Sequence, residues 1–206
     1  MKCIWCSNPE GMALNGGKDY SVKEIFDECK RSKLMFFSGG GVTFTGGEAT
    51  LQYDELIELF KLLKSENIHI VIETNGTSKK LNSLLDYVDY LIMDFKHYDS
   101  EVLKKYTGVG NEVIKQNFEL NCKNNRQQHI RIPLINGINT QNPEKFAEYF
   151  SGHNTQNTVF EFLSYHEYGR DKWQEEYKVK DGFINAQTLK LFKDTFKNYN
   201  LKLIET

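Results

Sequence analysis

The chain has 206 residues, enough for one domain with a continuous core, and its 39% hydrophobic and 26% charged residues describe a soluble globular protein. Its 26 basic and 28 acidic residues nearly cancel to a net charge of −2, which removes any electrostatic case for nucleic acid or an anionic membrane surface. No apolar run approaches the roughly 20 residues that span a bilayer, and no apolar signal-peptide core opens the chain, so the expected location is the cytoplasm.

The chain opens on Cys3-Ile4-Trp5-Cys6, followed by turn chemistry in Ser7-Asn8-Pro9-Glu10-Gly11 and a second turn signal at Asn15-Gly16-Gly17. Ser21-Val22-Lys23-Glu24 has the spacing of a helix capping box and leads into Ile25, Phe26 and Cys29 at helical intervals. Ser38-Gly39-Gly40-Gly41 interrupts the chain. Val42 to Thr45 then reads as a short strand closed by Gly46-Gly47-Glu48. Tyr53 to Lys64 is the clearest amphipathic helix, with Leu56, Ile57, Phe60 and Leu63 on one face.

A β-branched run, Ile68 to Ile72, ends at Glu73-Thr74-Asn75-Gly76, and a short helix through Leu84 and Leu85 leads to the strand Tyr90–Met93, closed by Asp94-Phe95-Lys96. Helical patterns follow at Ser100–Tyr106 and Asn111–Cys122, then a strand at His129–Leu134. Asn142-Pro143 caps the next helix, Pro suiting its first turn. Thr158–Leu163 is a strand closed by Ser164-Tyr165-His166, and a last helix near Asn185–Asn198 precedes a terminal strand at Leu201–Ile204. Short apolar strands alternating with amphipathic helices predict a parallel sheet with crossover helices, in one domain spanning residues 1–206.

Four cysteines, at 3, 6, 29 and 122, are too few and too unevenly placed for a disulfide framework. Cys29 and Cys122 read as small, partly buried helix residues. Cys3 and Cys6 are the chemical pair, with a spacing that suits half a zinc site, a redox dithiol or part of an iron–sulfur ligand set.

The polar residues that demand explanation share one location. Glu48, Glu73 to Asn75, Asp94 with Lys96, and Tyr165 with His166 each lie just past a strand's last apolar residue, while Arg131 lies inside its strand. In a parallel α/β barrel such positions converge on one face, where ligands bind. A single acidic residue after a strand is ordinarily a turn residue or a helix cap, but successive strands carrying such groups point to a site. His69, His97 and His153 read as structural or solvated, and His129 has no evident chemistry. Gly46-Gly47 lets backbone approach a ligand closely. It is no Walker loop, because no Lys-Ser or Lys-Thr follows, and Gly39–Gly41 precedes a strand where a dinucleotide fingerprint follows one. A ligand with amino and carboxylate groups fits this set better than a phosphate.

These residues resemble the radical S-adenosylmethionine (SAM) superfamily, and within it the glycyl-radical-enzyme activating enzymes of the pyruvate formate-lyase activating type. Cys3-Ile4-Trp5-Cys6-Ser7-Asn8-Pro9 is similar to the end of the C-x-x-x-C-x-x-C cluster loop. Ser38 to Thr43 with Thr45-Gly46-Gly47-Glu48-Ala49 is similar to the doubled glycine motif. Glu73-Thr74-Asn75-Gly76, Met93-Asp94-Phe95-Lys96, Arg131 and Tyr165-His166-Glu167-Tyr168-Gly169 follow in order. The resemblance covers nearly the whole chain and implies a partial (β/α)₆ barrel, here without its first strand. It implies Cys3 and Cys6 as thiolate ligands of a [4Fe–4S] cluster that chelates SAM. Trp5 would lie near the adenine, Gly46, Gly47 and Glu48 would hold the SAM amino group, and Lys96, Arg131 and His166 would face its carboxylate. Glu73, Thr74 and Asp94, with Asn75 beside them, match positions that surround a monovalent cation in relatives, although Glu stands where those relatives carry Asp.

The implied reaction is reductive cleavage of SAM to methionine and a 5′-deoxyadenosyl radical, which abstracts hydrogen from a glycine of a partner enzyme. A flavodoxin or ferredoxin would donate the electron to a monomeric activase. Two departures accompany the resemblance. The first cysteine of the cluster loop would fall just before Met1, so a shortened N-terminus is expected, and residues 11–18 carry no cysteines for a second cluster. The alternatives are a cluster-deficient module that binds SAM or a partner without radical activity, and another radical SAM enzyme that modifies peptides. A zinc or thioredoxin-like role has less support: no second ligand pair completes a zinc site, and no strand precedes the dithiol.

Overall fold

A computed structural model describes residues 1–13, 17–37 and 39–204. The turn signal at Asn15-Gly16, and Ser38 of the first glycine run, lie outside the described residues. Five strands form one sheet in chain order: β1 (Gly41–Phe44), β2 (His69–Thr74), β3 (Tyr90–Asp94), β4 (Gln128–Leu134) and β5 (Thr158–Ser164). Every neighbouring pair is parallel, with Phe44 opposite Ile72, Thr74 opposite Met93, Asp94 opposite Arg131, and Arg131 opposite Glu161. Sequential parallel order with helical crossovers is the winding of an α/β barrel, and it sends all five C-terminal strand ends to one edge. Beyond β5, Leu203 makes a single parallel bridge to Phe160, flanked by Phe160 N–H to the Lys202 carbonyl at 2.9 Å and Ile204 N–H to the Phe160 carbonyl at 2.9 Å. The terminal segment is therefore an abbreviated sixth strand.

The crossovers are α2 (Tyr53–Ser65), α3 (Leu81–Leu84), α4 (Ser100–Thr107) with α5 (Glu112–Lys123), and α6 (Pro143–Ser151). The first helix of the chain, α1 (Val22–Ser32), precedes β1, and α7 (Ala186–Asn198) follows β5. Ser21 and Glu24 form both bonds of the expected capping box: Ser21 Oγ accepts from Glu24 N–H at 3.2 Å, and Ser21 N–H donates to Glu24 Oε2 at 2.7 Å. Pro143 opens α6 as read, but Asn142 makes no side-chain cap; its amide reaches the Tyr98 hydroxyl at 3.4 Å instead.

Each strand splits its side chains between two faces. Ile70, Ile72, Met93, Ile130, Ile132, Leu134 and Phe160 are fully enclosed against Phe60 and Leu63 of α2, Phe118 of α5, Phe146 and Phe150 of α6, and Phe192 and Phe196 of α7. At about 1.5–3 kcal/mol for each large side chain buried, this apolar layer holds the helices on the sheet. The alternate positions, among them Glu73, Asp94 and Arg131, are half-buried and face the other way. The strands also run further than their apolar residues. Glu73 and Thr74 are the last residues of β2, and Asp94 ends β3, because the ladder continues opposite Ile92, Met93 and Arg131. Among the described residues no helix is long and apolar enough to cross a membrane.

Candidate functional site

The strand ends carry two networks. In the first, Glu48 follows β1 and its carboxylate is saturated by neighbours. Oε1 accepts from the Thr50 hydroxyl at 2.5 Å, Thr50 N–H at 3.3 Å and the Thr74 hydroxyl at 2.6 Å; Oε2 accepts from Asn75 N–H at 2.8 Å. Glu48 thus ties the turn after β1 to the end of β2. Asn75 Oδ1 accepts from Thr77 N–H at 3.0 Å and continues the brace.

The second network is ionic and crosses four strands, from the ends of β1, β2 and β3 to the middle of β4. Arg131 donates from Nε to Asp94 at 3.0 Å, and its two terminal nitrogens donate to the two oxygens of Glu73 at 3.2 Å each. Lys96 Nζ donates to the other Asp94 oxygen at 2.7 Å, and the Thr45 hydroxyl donates to Glu73 at 3.0 Å. The four side chains are two acids and two bases, so the set is neutral as a whole. Burial works against the Asp94 carboxylate, but Lys96 and Arg131 outweigh it and hold its pKa below the ordinary aspartate value. Burial likewise opposes the Lys96 ammonium, and Asp94 and Cys3 more than compensate, raising its pKa. Such enclosed charge is poor evidence for stability and good evidence for a site.

The cysteine loop lies beside this network. Lys2 N–H donates to the Thr107 carbonyl at 2.8 Å and Ile4 N–H to the Tyr106 carbonyl at 3.2 Å, which anchors the loop to the end of α4. Cys6 N–H closes a turn onto the Cys3 carbonyl at 3.1 Å. Cys3 is 8% exposed; burial pushes its thiol pKa up, and the nearby Lys96 ammonium pulls it down. Cys6 is half-buried. Both glycines after β1 are exposed, and Gly46 takes φ +127°, which few side-chain-bearing residues adopt. A β-carbon on Gly47 would stand 2.6 Å from the Gly11 carbonyl oxygen, so the bare backbone is what lets the cysteine loop pass against this turn.

Of the residues singled out from sequence, Glu73, Asp94, Lys96 and Arg131 are joined directly, as are Glu48, Thr74 and Asn75. Trp5 packs with Ile4, Ile138 and Tyr177 around Ile135, Tyr165 and Val179. His166 is exposed and stacks on Tyr168 with ring centres 4.2 Å apart, outside both networks. Cys29 and Cys122 are built into the cores of α1 and α5. His129, read without a role, places Nε2 3.1 Å from Glu161 without hydrogen-bond geometry, and burial lowers its pKa.

Sequence reasoning missed two residues and gave a third, Gly169, no role beyond its place in the Tyr165–Gly169 motif. Asn139 is buried; it donates to the Lys96 carbonyl at 2.9 Å and the Pro133 carbonyl at 2.7 Å, and accepts from Ile135 N–H at 2.8 Å, locking the chain after β3 to the end of β4. Trp173 donates its indole N–H to the Cys6 carbonyl at 3.0 Å. Gly169 lies so close to Ser7 that a β-carbon there would be 2.4 Å from the Ser7 Cα and carbonyl oxygen. Gly169 carried a signal as the end of the quoted motif and Trp173 as one of two tryptophans in the chain; Asn139 carried none.

The radical SAM superfamily model matches residues 1–150. The chain is 33% identical over 188 residues to a 4-hydroxyphenylacetate decarboxylase activating enzyme of Clostridioides difficile; the match covers 87% of this chain and 59% of that protein. The chain therefore spans about three-fifths of that relative's length. It is 29% identical over 216 residues to the pyruvate formate-lyase 1-activating enzyme of Escherichia coli K12, covering 99% and 87% of the two chains. Its fold superposes on the crystal structure of a domain of a pyruvate-formate lyase-activating enzyme from Bacteroides vulgatus with a TM-score of 0.68 at 27% identity, over 81% of this chain and 98% of that one. The parallel strand order, the polar strand ends and the match over residues 1–150 agree, and this chain belongs to the radical SAM superfamily.

Proposed function

We propose that this chain carries the barrel of a glycyl-radical-enzyme activase, in which a [4Fe–4S] cluster and SAM meet at the C-terminal ends of β1 to β4. One observation carries the reading most: the neutral Glu73–Arg131–Asp94–Lys96 network lies at the same strand ends as the cysteine loop, with Cys3 in the field of Lys96. The likeness to activating enzymes of two organisms supports it.

The superfamily implies both groups, and the residues fit them unequally. For SAM, Lys96 and Arg131 are cations suited to its carboxylate, and the exposed Gly46-Gly47 backbone is suited to its amino group. Glu48 braces this wall through Thr50, Thr74 and Asn75, and its Oε2, with one donor, keeps acceptor capacity for the same amino group. Trp5 offers an aromatic surface for the adenine, and His166, stacked on Tyr168, would have to leave that stack to face SAM. For the cluster, Cys3 and Cys6 supply two thiolates; among the described residues no group of three or more His, Cys, Asp or Glu side chains is placed to hold a metal. The set is therefore incomplete for a three-cysteine cluster. A monovalent cation does not fit either, because the Arg131 guanidinium already supplies the positive charge between Glu73 and Asp94.

When bound, the cluster would supply the single electron that cleaves SAM to methionine and a 5′-deoxyadenosyl radical, for transfer of a glycine hydrogen in a partner enzyme. The chain's own residues would orient SAM by its two charged ends and keep water from the reacting carbon. A flavodoxin or ferredoxin is the proposed donor, and a glycyl radical enzyme the proposed protein substrate.

The test extends the N-terminus so that a cysteine stands four positions before Cys3, then reconstitutes the protein anaerobically with iron and sulfide. SAM and dithionite should yield 5′-deoxyadenosine. A preparation holding about four irons per chain that releases none would refute the activase reading. A second reading, a SAM- or partner-binding module without radical chemistry, predicts calorimetric SAM binding with no iron uptake by the extended protein.

A further inference from the structure

We infer that the segment from Tyr165 to Tyr177, which follows β5, is the positioning strap of the cysteine loop, and that Trp173 and Gly169 are the residues that set where the Cys6 sulfur stands. The loop has little structure of its own. Up to Asn8 it holds the turn of Cys6 onto Cys3 at 3.1 Å and the two backbone bonds to the end of α4, and a single 3₁₀ turn, Pro9–Met12, follows. Its position past Ile4 must come from what lies against it.

The strap meets the loop at three consecutive places. Gly169 abuts Ser7 backbone to backbone, an approach that any β-carbon would prevent. Four residues on, the Trp173 indole N–H holds the Cys6 carbonyl at 3.0 Å, which fixes the peptide plane next to the Cys6 Cα and so the direction of its side chain. Lys172 reaches Asn8 Oδ1 at 2.9 Å and Glu10 at 3.0 Å, but this pair is 46% and 55% exposed and adds little in water. The strap is itself anchored. Tyr165 is 7% exposed, with its hydroxyl 2.8 Å from that of Tyr177, and Tyr177 meets Trp173 edge to face at 5.7 Å between ring centres. Ile4 and Trp5 close the contact from the other side by packing into the same small apolar cluster as Tyr165. A residue 167 positions from Cys6 thus sets its carbonyl.

The statement about loop position depends on these contacts alone; its meaning for cluster assembly rests on the function proposed above. The experiment uses the reduced, metal-free 206-residue chain and a pulse of iodoacetamide, with alkylation of Cys3, Cys6, Cys29 and Cys122 quantified separately by peptide mass spectrometry. Trp173→Phe keeps an aromatic ring and removes the donor; Gly169→Ala forces a methyl group into Ser7. Losing one enclosed hydrogen bond should raise Cys6 alkylation about fivefold in Trp173→Phe. The overlap in Gly169→Ala should raise it about tenfold or more. Cys29 and Cys122 should change by less than about twofold, since global unfolding would expose all four together and the Cys6-to-Cys122 ratio reads the strap alone. If Gly169→Ala does not fold, Trp173→Phe decides. A Cys6-to-Cys122 ratio that stays at the wild-type value overturns the inference. Iron uptake by the N-terminally extended protein judges the functional reading separately, because it does not enter the ratio.

Discussion

Arg131→Met tests whether the ionic network is a fastened unit. Arg131 makes three bonds to carboxylates, one to Asp94 at 3.0 Å and two to Glu73 at 3.2 Å, and the three side chains are 21%, 23% and 26% exposed. These groups are too enclosed for the near-zero value of a surface pair. Removing one partner of a fully buried pair costs about 3–5 kcal/mol, because the other charge is stranded. Residual solvent and the Lys96 bond to Asp94 soften that, so about 2–4 kcal/mol is expected at pH 7. The pH dependence has a definite sign. In the native protein Asp94 titrates below its ordinary 3.8, so its contribution is present above that value and is lost as the pH falls through the depressed folded pKa. In the variant the burial of Asp94 is no longer offset by the guanidinium, and its carboxyl takes up a proton at higher pH. The stability difference should therefore narrow as the pH is lowered from 7 toward 4. Urea unfolding followed by far-UV circular dichroism measures it. A difference below about 1 kcal/mol at pH 7, or one that widens on acidification, would show that the guanidinium is solvated and the network is not a unit.

Two further outcomes follow from buried polar groups outside the network. Asn139→Ala strands the Ile135 N–H and the Lys96 and Pro133 carbonyls, and should lower stability by about 2–4 kcal/mol; a thermal melt indistinguishable from the parent would mean these groups find water instead. His97 is 6% exposed and accepts from Asp99 N–H at 2.9 Å; burial lowers its pKa below 6.5, so the unfolded chain takes up the proton first and stability should fall as the pH drops below about 6.5. His97→Gln should flatten that slope between pH 7.5 and 5.5, and equal slopes in the two proteins would assign the effect elsewhere.

Local signals were legible because their partners are local. The Ser21–Glu24 capping box spans three residues, and both its bonds are present. Strands and helices were legible from period, since Ile70 and Ile72 alternate into the core while Leu56, Phe60 and Leu63 repeat at helical intervals. Strand ends were less so: Glu73 and Thr74 look like a turn by composition but stay in the ladder because β3 continues beside them. Glu73, Asp94 and Lys96 could be read as one site because each closes or just follows its strand, whereas Arg131 lies inside β4. Their pairing could not, because Arg131 and Glu73 are 58 positions apart and nothing local marks the bond. Asn139 and Trp173 were missed, and the contact of Gly169 went unread, for that same reason, each acting on backbone that belongs to another element.

The cysteine loop is the extreme case of that non-local logic. Composition marks Cys3 and Cys6 as chemical, yet nothing within residues 1–11 fixes where their sulfurs stand. That information is distributed over three distant elements: the last turn of α4, which takes the N–H groups of Lys2 and Ile4; the turn after β1, which passes Gly11 at a distance only glycine at position 47 allows; and the strap after β5, which meets Ser7 through Gly169. Two of these approaches are backbone against backbone, and a single methyl group at either glycine would move the loop by more than a side-chain rotation could absorb. Since β1 and β5 belong to one sheet, the loop, whose own regular structure is the single 3₁₀ turn Pro9–Met12, takes its position from the barrel. That places the Cys3 thiol beside Lys96 before any ligand arrives, the condition a preorganised site requires.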